Sequence, residues 1–581
     1  MLLESLSTFW LLFSTFQKIS AAPTAGNPTA KTKNGTVVGR HLESFDQDLF
    51  LGIPYAEAPR LSNPLPVDKT YETSFDASHY GYTCYGFGSN PILTLTQSED
   101  CLNLNIIRPA GCSEDSRLPV VFWIYGGGYR QGSSADPEWN MTYIVQRSVE
   151  EDQPIIAVSI NYRLSFLGFP GGQEALDAGI TNLGLKDQRQ ALLWVQENIA
   201  AFGGDPRKVT VWGESAGASS IANQLVAYGG KGGTDLFRGG ILASGFANGA
   251  ALATVNKTQT GFDLIAASAN CSKVEDKIEC LRHASLTTLY PFEDTSVNGT
   301  SWAPFLDGDW FRQPPAYEIA AGNCARVPIL LGANSDEGFI DVGTGTPPFP
   351  NTTDETAAWI ETVFPLLNQT VVDRLLKLYP EGGPAPPYSL PSNFPWCQAM
   401  NAVNLACGSQ YRRLAAILGD HSADAPRRNM AQLWSQLGLP AYSYRFDTNP
   451  TALPITYFYG LGPGFADHGT ELAYEVGLPG GYSNGLQFYP AVKNIPTHLT
   501  VSHEMNKRWI SFVVTGSPNH VKGKYELNWP EYKDSASNFV FNATDHKVNI
   551  HIERDDYRAK GIQTWIDNVP DADYYGIAPK S

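Results

Sequence analysis

Between residues 119 and 213 the chain alternates two kinds of apolar pattern. Pro119–Tyr125 (PVVFWIY) and Pro154–Tyr162 (PIIAVSINY) are apolar at nearly every position, as strands covered on both faces are. Between Asn182 and Phe202 the apolar residues fall on one helical stripe instead, with Leu185, Leu192, Val195 and Ile199 in line. Asn182 is placed to cap that helix, and the Gly203-Gly204-Asp205-Pro206 turn stops it. A strand over Lys208–Gly213 follows, then apolar strands over Gly239–Ala243, Val327–Gly332 and Ala441–Asp447. Such repetition of apolar strand, helix and strand implies an α/β fold with a large, mostly parallel central sheet flanked by helices. At 581 residues, 43% of them hydrophobic and 17% charged, the chain can bury a sizeable core. It shows no internal repeat and no low-complexity linker, so residues 22–581 read as one catalytic-size α/β unit with long insertions. Pro23–Lys33 is a polar lead-in and Gly343–Asn351 a Pro/Gly-rich surface loop.

The N-terminus carries an apolar run, Phe9–Phe16, followed by the small residues Ser20, Ala21 and Ala22. This predicts a signal peptide over 1–21, although Glu4 stands where a positive residue is expected; the alternative is a buried first helix. The run is too short to span a bilayer, and no later segment is long enough, so the expected mature protein is soluble and secreted. Eight Asn-x-Ser/Thr sites agree with export: Asn34, Asn140, Asn256, Asn270, Asn298, Asn351, Asn368 and Asn542. So does an even set of eight cysteines, in which the close pairs Cys84/Cys101 and Cys271/Cys280 suggest loop staples. No C-x-x-C spacing points to zinc. A net charge of -17 without a Lys/Arg cluster argues against nucleic acid and anionic membrane surfaces as partners.

Residues 213–217, Gly-Glu-Ser-Ala-Gly, fit G-x-S-x-G, and so do residues 481–485, Gly-Tyr-Ser-Asn-Gly. Context separates them. A nucleophile elbow needs a buried strand before the serine, a helix after it, and glycines where the turn leaves no room for side chains. Ser215 has the strand Lys208–Gly213 before it and small residues able to open a helix behind it. Ser483 follows a Gly/Pro-rich run and reads as a turn serine. Upstream, Tyr125-Gly126-Gly127-Gly128-Tyr129 ends an apolar strand, where bare backbone N–H groups can approach a ligand closely.

A serine hydroxyl is a weak nucleophile and needs a base held by an acid, in the chain order Ser, Asp/Glu, His for this fold class. Eight histidines follow Ser215: His283, His421, His468, His498, His503, His520, His546 and His551. His468 leads because its loop follows soon after the strand Ala441–Asp447, whereas His498 and His503 flank a helix running towards Phe512. Glu337, just beyond the strand Val327–Gly332, is the candidate acid, with its neighbour Asp336 as rival.

These residues resemble the type B carboxylesterase/lipase family, which includes cholinesterases and extracellular fungal lipases. The resemblance rests on Phe50–Ala56, Ser98–Asn105, Asn161–Leu164, Phe202–Pro206 and Gly213–Ala218, and covers nearly the whole mature chain. It implies an α/β-hydrolase fold and a triad of Ser215, Glu337 and His468. It implies oxyanion donors at Gly127, Gly128 and Ala216, and disulfides Cys84–Cys101 and Cys271–Cys280. Arg60 with Glu99 and Arg163 with Asp187 are implied structural ion pairs. Cys397–Cys407 is suggested by proximity alone.

The implied activity is hydrolysis of carboxylic esters through an acyl-enzyme, with a small-molecule ester as the partner and no metal or organic cofactor. In lipase relatives the first disulfide loop forms a long lid, but here only 16 residues separate Cys84 from Cys101. A short lid gains less from opening at an oil interface, so soluble or short-to-medium acyl esters are the expected substrates. The alternatives are a lipase or sterol esterase on long-chain lipids and an acyltransferase of secondary metabolism using the same three residues. A binding protein without activity is a further alternative, against which Ser215, Glu337 and His468 all stand in place. The sequence is silent on oligomeric state.

Overall fold

The structure, a computed structural model, describes residues 26–86, 95–247, 252–293, 302–338, 349–381, 408–448, 466–478, 495–523, 525, 527–544 and 546–572. The candidate leader 1–21, Asn298, Cys397, Cys407, Ser483 and most of the 343–351 loop lie outside these residues.

Eleven strands form one central sheet. In chain order they are β1 (Arg40–Leu42), β2 (Gln47–Pro54), β3 (Asn103–Pro109), β4 (Leu118–Ile124), β5 (Ile156–Ile160), β6 (Gly204–Glu214), β7 (Gly239–Ala243), β8 (Ile329–Asn334), β9 (Ala441–Phe446), β10 (Ser537–Phe541) and β11 (His551–Arg554). Their spatial order is β11-β10-β9-β8-β7-β6-β4-β5-β3-β2-β1. From β5 to β10 all neighbours run parallel. Towards β1 and at β11 the pairing is antiparallel. The expected parallel sheet is thus the centre of a mixed one. β5 and β7–β10 are buried along their whole length, as is nearly all of the antiparallel β3, whereas half-buried and exposed residues alternate in β11 at the sheet edge.

Helices α1 (Thr142–Glu150), α2 (Leu183–Asn198), α3 (Ala216–Val226), α4 (Ala425–Gln436) and α5 (Pro496–Thr515) belong to the covering layers. In α2 the stripe of Leu185, Leu192 and Val195 faces the core. Three expectations need correction. Asn182 stands at the start of α2 but makes no capping bond. Its side chain accepts from Phe305 N at 2.6 Å and donates to Phe305 O and Asp307 Oδ2, both at 2.8 Å, tying down a distant segment. The lead-in contains a strand, Thr29–Thr32, because Ala30 and Thr32 turn alternately inward and pair with Gly35–Val38. His498 and His503 lie inside α5, which Pro496 opens.

A second apolar core, with Phe364, Leu375, Ile417 and Trp565 at its centre, sits among the helices Thr353–Val363, Gln369–Leu378, Tyr411–Gly419 and Ala559–Ala572. A π-helical turn, Asp420–Asp424, joins this satellite to α4. Cys84 is bonded to Cys101 and Cys271 to Cys280. Cys112 and Cys324 are free thiols, so the even cysteine count does not translate into complete pairing. Arg60 forks onto Glu99 at 2.8 and 2.5 Å, and Arg163 onto Asp187 at 2.8 and 2.6 Å.

Candidate active site

The elbow is built by steric exclusion. Ser215 sits between β6 and α3 with φ +54° and ψ −124°, a conformation few non-glycine residues adopt. Its N–H donates to Ala243 O at 2.8 Å, which pins the turn to β7. A Cβ on Gly217 would lie 2.0 Å from Ile124 O, and one on Gly213 would lie 2.6 Å from the Gly217 carbonyl carbon. Glycine at both positions is what lets α3 start directly against the end of β4.

From there a line of hydrogen bonds runs across three strand ends. Ser215 Oγ lies 2.8 Å from His468 Nε2, and His468 Nδ1 lies 2.6 Å from Glu337 Oε2. Glu337 Oε1 accepts from Asn334 N at 2.7 Å and from Ser244 Oγ at 2.5 Å. The structure therefore brings together Ser215, His468 and Glu337 over 253 and 131 positions of chain. It is Glu337 and not Asp336, the rival acid, that bonds the imidazole; the Asp336 N–H donates to Ala466 O at 2.9 Å and its carboxyl is buried, raised further by Asp447 and opposed by Arg558 and Arg445. The glycine loop after β4 stands beside the elbow, since a Cβ on Gly126 would come 2.9 Å from Ser215 Cβ. Gly127 and Gly128 have positive φ, +96° and +63°, so only glycine takes this path without strain.

Sequence reasoning missed four residues here. Ser244, at the end of β7, donates to Glu337 and lies 3.0 Å from Glu471 Oε1. Asn334 also donates from Nδ2 to Asp467 O at 2.6 Å and to Glu471 Oε2. Glu214 places Oε1 3.3 Å from His468 Nε2. A usable signal exists: Glu214, Ser244 and Asn334 are polar residues at the carboxyl ends of otherwise apolar parallel strands, where sites in such sheets gather.

The surroundings are rich in buried carboxyls. Burial pushes Glu214 up to about 8, helped by Glu471 and Glu337 and opposed by His468. Burial likewise pushes Glu471 and Asp336 up to about 7, and raises Asp467 and Glu475 well above the ordinary carboxylate range. At His468 burial opposes the charged form, but Glu337, Glu214 and Glu471 together outweigh it and hold the imidazole well above its ordinary value.

A parallel sheet carrying a serine elbow, with a histidine and an acid from later strand ends, defines an α/β-hydrolase. The chain belongs to the carboxylesterase family, whose sequence profile matches residues 26–565. It is similar to Secreted lipase 1 of Botryotinia fuckeliana, with 32% identity over 89% of this chain and 88% of that protein. It is equally similar to Lipase 2 of Geotrichum candidum, with 32% identity over 92% and 95% of the two chains. Among solved structures, Aspergillus niger EstA superposes with a TM-score of 0.77 at 25% identity, covering 94% of this chain and 99% of that one. A PNB esterase gives 0.71 at 26% identity, covering 93% and 99%. The chain is thus a carboxylic ester hydrolase by family.

Proposed function

We propose that the protein is a secreted serine esterase in which Ser215, His468 and Glu337 act as nucleophile, base and acid. The observation that carries this reading is the hydrogen-bonded line from the Ser215 hydroxyl through the imidazole to a buried carboxylate. Ser215 Oγ attacks the ester carbonyl carbon while its proton passes to His468 Nε2. Glu337 keeps the ring in the tautomer whose Nε2 accepts, and stabilises the imidazolium that forms. The N–H groups of Gly127, Gly128 and Ala216 receive the negative charge on the carbonyl oxygen, each worth about 3–4 kcal/mol of barrier. Collapse expels the alcohol, which takes the proton from His468, and leaves an acyl-serine. Water then repeats the sequence and releases the acid.

The preferred substrates are soluble or short-to-medium acyl esters, on the argument that the Cys84–Cys101 loop is too short for a long lid. The names of the fungal relatives favour a second reading, a lipase on long-chain lipids. A hydrolysis series on p-nitrophenyl esters from acetyl to palmitoyl, with Ser215→Ala as blank, decides both points. Activity should peak at short-to-medium chains and vanish in the blank. A maximum at palmitoyl that rises on emulsified triglyceride would select the lipase reading, and activity surviving in Ser215→Ala would refute the assignment of the nucleophile.

Export is supported by relatives named as secreted and by the sequon positions. Asn256, Asn270, Asn351 and Asn368 are exposed, and Asn140 and Asn542 are half-buried. Asn34 is buried, with Nδ2 donating to Val67 O at 2.8 Å and Lys69 O at 3.0 Å, so that nitrogen is closed to a glycan. Among the described residues no helix is long and apolar enough to cross a membrane. Peptide mapping of the exported protein should find residue 22 at the N-terminus and glycans at exposed sequons but none at Asn34.

A further inference from the structure

Consecutive glycines make the least rigid backbone a chain can have, yet donors for an oxyanion must be aimed to within tenths of an ångström. The glycine loop is held from outside by the turn that follows β5. At the start of the loop, Tyr162 Oη donates to Tyr125 O at 3.0 Å, and Tyr125 Oη donates back to Tyr162 O at 3.3 Å. The two rings stack with centroids 4.6 Å apart and planes 20° from parallel. Both side chains are fully buried, and burial raises both phenols well above their ordinary value, so each stays an O–H donor. At the far end of the loop, Ser165 N donates to Tyr129 O at 2.7 Å. Just past that end the Tyr125 ring packs against the backbone leaving the loop: a Cβ on Gly132 would lie 2.4 Å from it.

The holding turn is itself anchored. Tyr55 Oη donates to Asn161 O at 2.7 Å. Arg163 donates to Asp187 from its backbone N–H at 3.1 Å as well as through its guanidinium. Where the two segments meet at Tyr129 and Ser165, both residues have positive φ, +61° and +51°, a strain that persists only because the surroundings over-determine it.

We propose that Tyr162, paired with Tyr125, is a positioning residue that aims the oxyanion donors. Its hydroxyl fixes the plane of the Tyr125–Gly126 peptide at the loop's entry, Ser165 N fixes the Tyr129 carbonyl at its exit, and the Gly127 and Gly128 N–H groups are directed from the span between these two held ends. The proposal rests on the serine-esterase reading given above.

The test uses Tyr162→Phe, which keeps the ring stack and deletes the hydroxyl, and Tyr125→Phe, which removes two longer contacts, the bond to Tyr162 O at 3.3 Å and the one accepted from Tyr162 N at 3.4 Å. Each purified variant is assayed with p-nitrophenyl butyrate and with an alkyl trifluoromethyl ketone, whose serine adduct places an oxyanion in the same position. Tyr162→Phe should lower kcat about tenfold with KM within about twofold, and should weaken the ketone by a similar factor. The acid limb of its pH profile should stay in place, because the Ser215–His468–Glu337 line is untouched. Tyr125→Phe should change the same quantities in the same direction by less. The proposal fails if folded Tyr162→Phe keeps kcat and ketone affinity within about twofold of the parent. It also fails if kcat drops with a displaced acid limb and unchanged ketone affinity. Should Tyr162→Phe not fold, the same criteria apply to Tyr125→Phe, with a loss of about threefold expected in kcat and in ketone affinity. A parent enzyme that neither hydrolyses the ester nor is labelled at Ser215 by an organophosphate would instead defeat the esterase reading, and this proposal with it.

Discussion

At Glu337 three donors converge on one buried carboxylate: the imidazole of His468, the hydroxyl of Ser244 and the N–H of Asn334. The carboxylate favours the protonated imidazole, and the working base is the neutral one. The acid limb of kcat/KM should therefore lie above about pH 6.5, the ordinary histidine value, since His468 must lose its proton before it can accept one from Ser215. Glu337→Gln removes the charge and presents the ring with an ambiguous partner. We expect kcat to fall roughly 10³- to 10⁴-fold and the acid limb of the residual activity to move to lower pH. A limb that stays put would show that Glu337 does not set the proton affinity of His468. The elbow and its glycines were legible in the sequence because they are local: five consecutive residues and the apolar run before them state the turn. Ser244 and Asn334 were legible only as polar residues at the ends of apolar strands, and Glu471 not at all, because their partnership exists only once folding sets them against one another.

Among elements, α4 is joined by charge to the residue that follows strand β11. Asp555, just beyond β11, accepts from Arg427 Nη1 and Nη2 at 2.9 and 2.8 Å, from Arg428 Nη2 at 2.8 Å and from Tyr532 Oη at 2.8 Å. Burial alone would raise this carboxyl, but Arg427 and Arg428 hold it far below the usual range. Asp555→Ala leaves two arginines in the interior without their shared counter-ion. A loss of about 3–5 kcal/mol in unfolding free energy is expected, measured by urea titration, against less than about 1 kcal/mol for an exposed ion pair such as Lys33–Glu197. Elements that announce themselves by period were readable: β4, β5, β7 and α2 stand where their apolar patterns put them. What one residue does at an element's edge was not, as Asn182 shows, for its partner lies 123 positions away.

Over the whole molecule, the buried carboxyls set the dependence of stability on pH. Glu214, raised to about 8, and Asp336 and Glu471, raised to about 7, keep protons that the unfolded chain sheds above roughly pH 4–5. His468, also raised, keeps its proton above the ordinary histidine value. The folded protein thus binds more protons than the unfolded one, and stability falls as pH climbs. His421 and His503, lowered to about 4 by burial, act in the opposite sense, but only up to about pH 6.5. The melting temperature should therefore fall between about pH 6.5 and 9, as read by calorimetry, and a flat or rising trend would contradict the account. The division into two apolar cores was not legible, because the helices of the satellite repeat the same amphipathic pattern as those on the sheet. Where the two cores meet, Gly338 follows Glu337 directly, and a Cβ there would lie 2.1 Å from Ala415 O and 2.2 Å from Gly419 N. The outer helices thus form the back wall against which the acid loop is pressed. Sequence drift in that peripheral layer, however remote from any bound ester, reaches the acid loop at a contact with no side chain to cushion it.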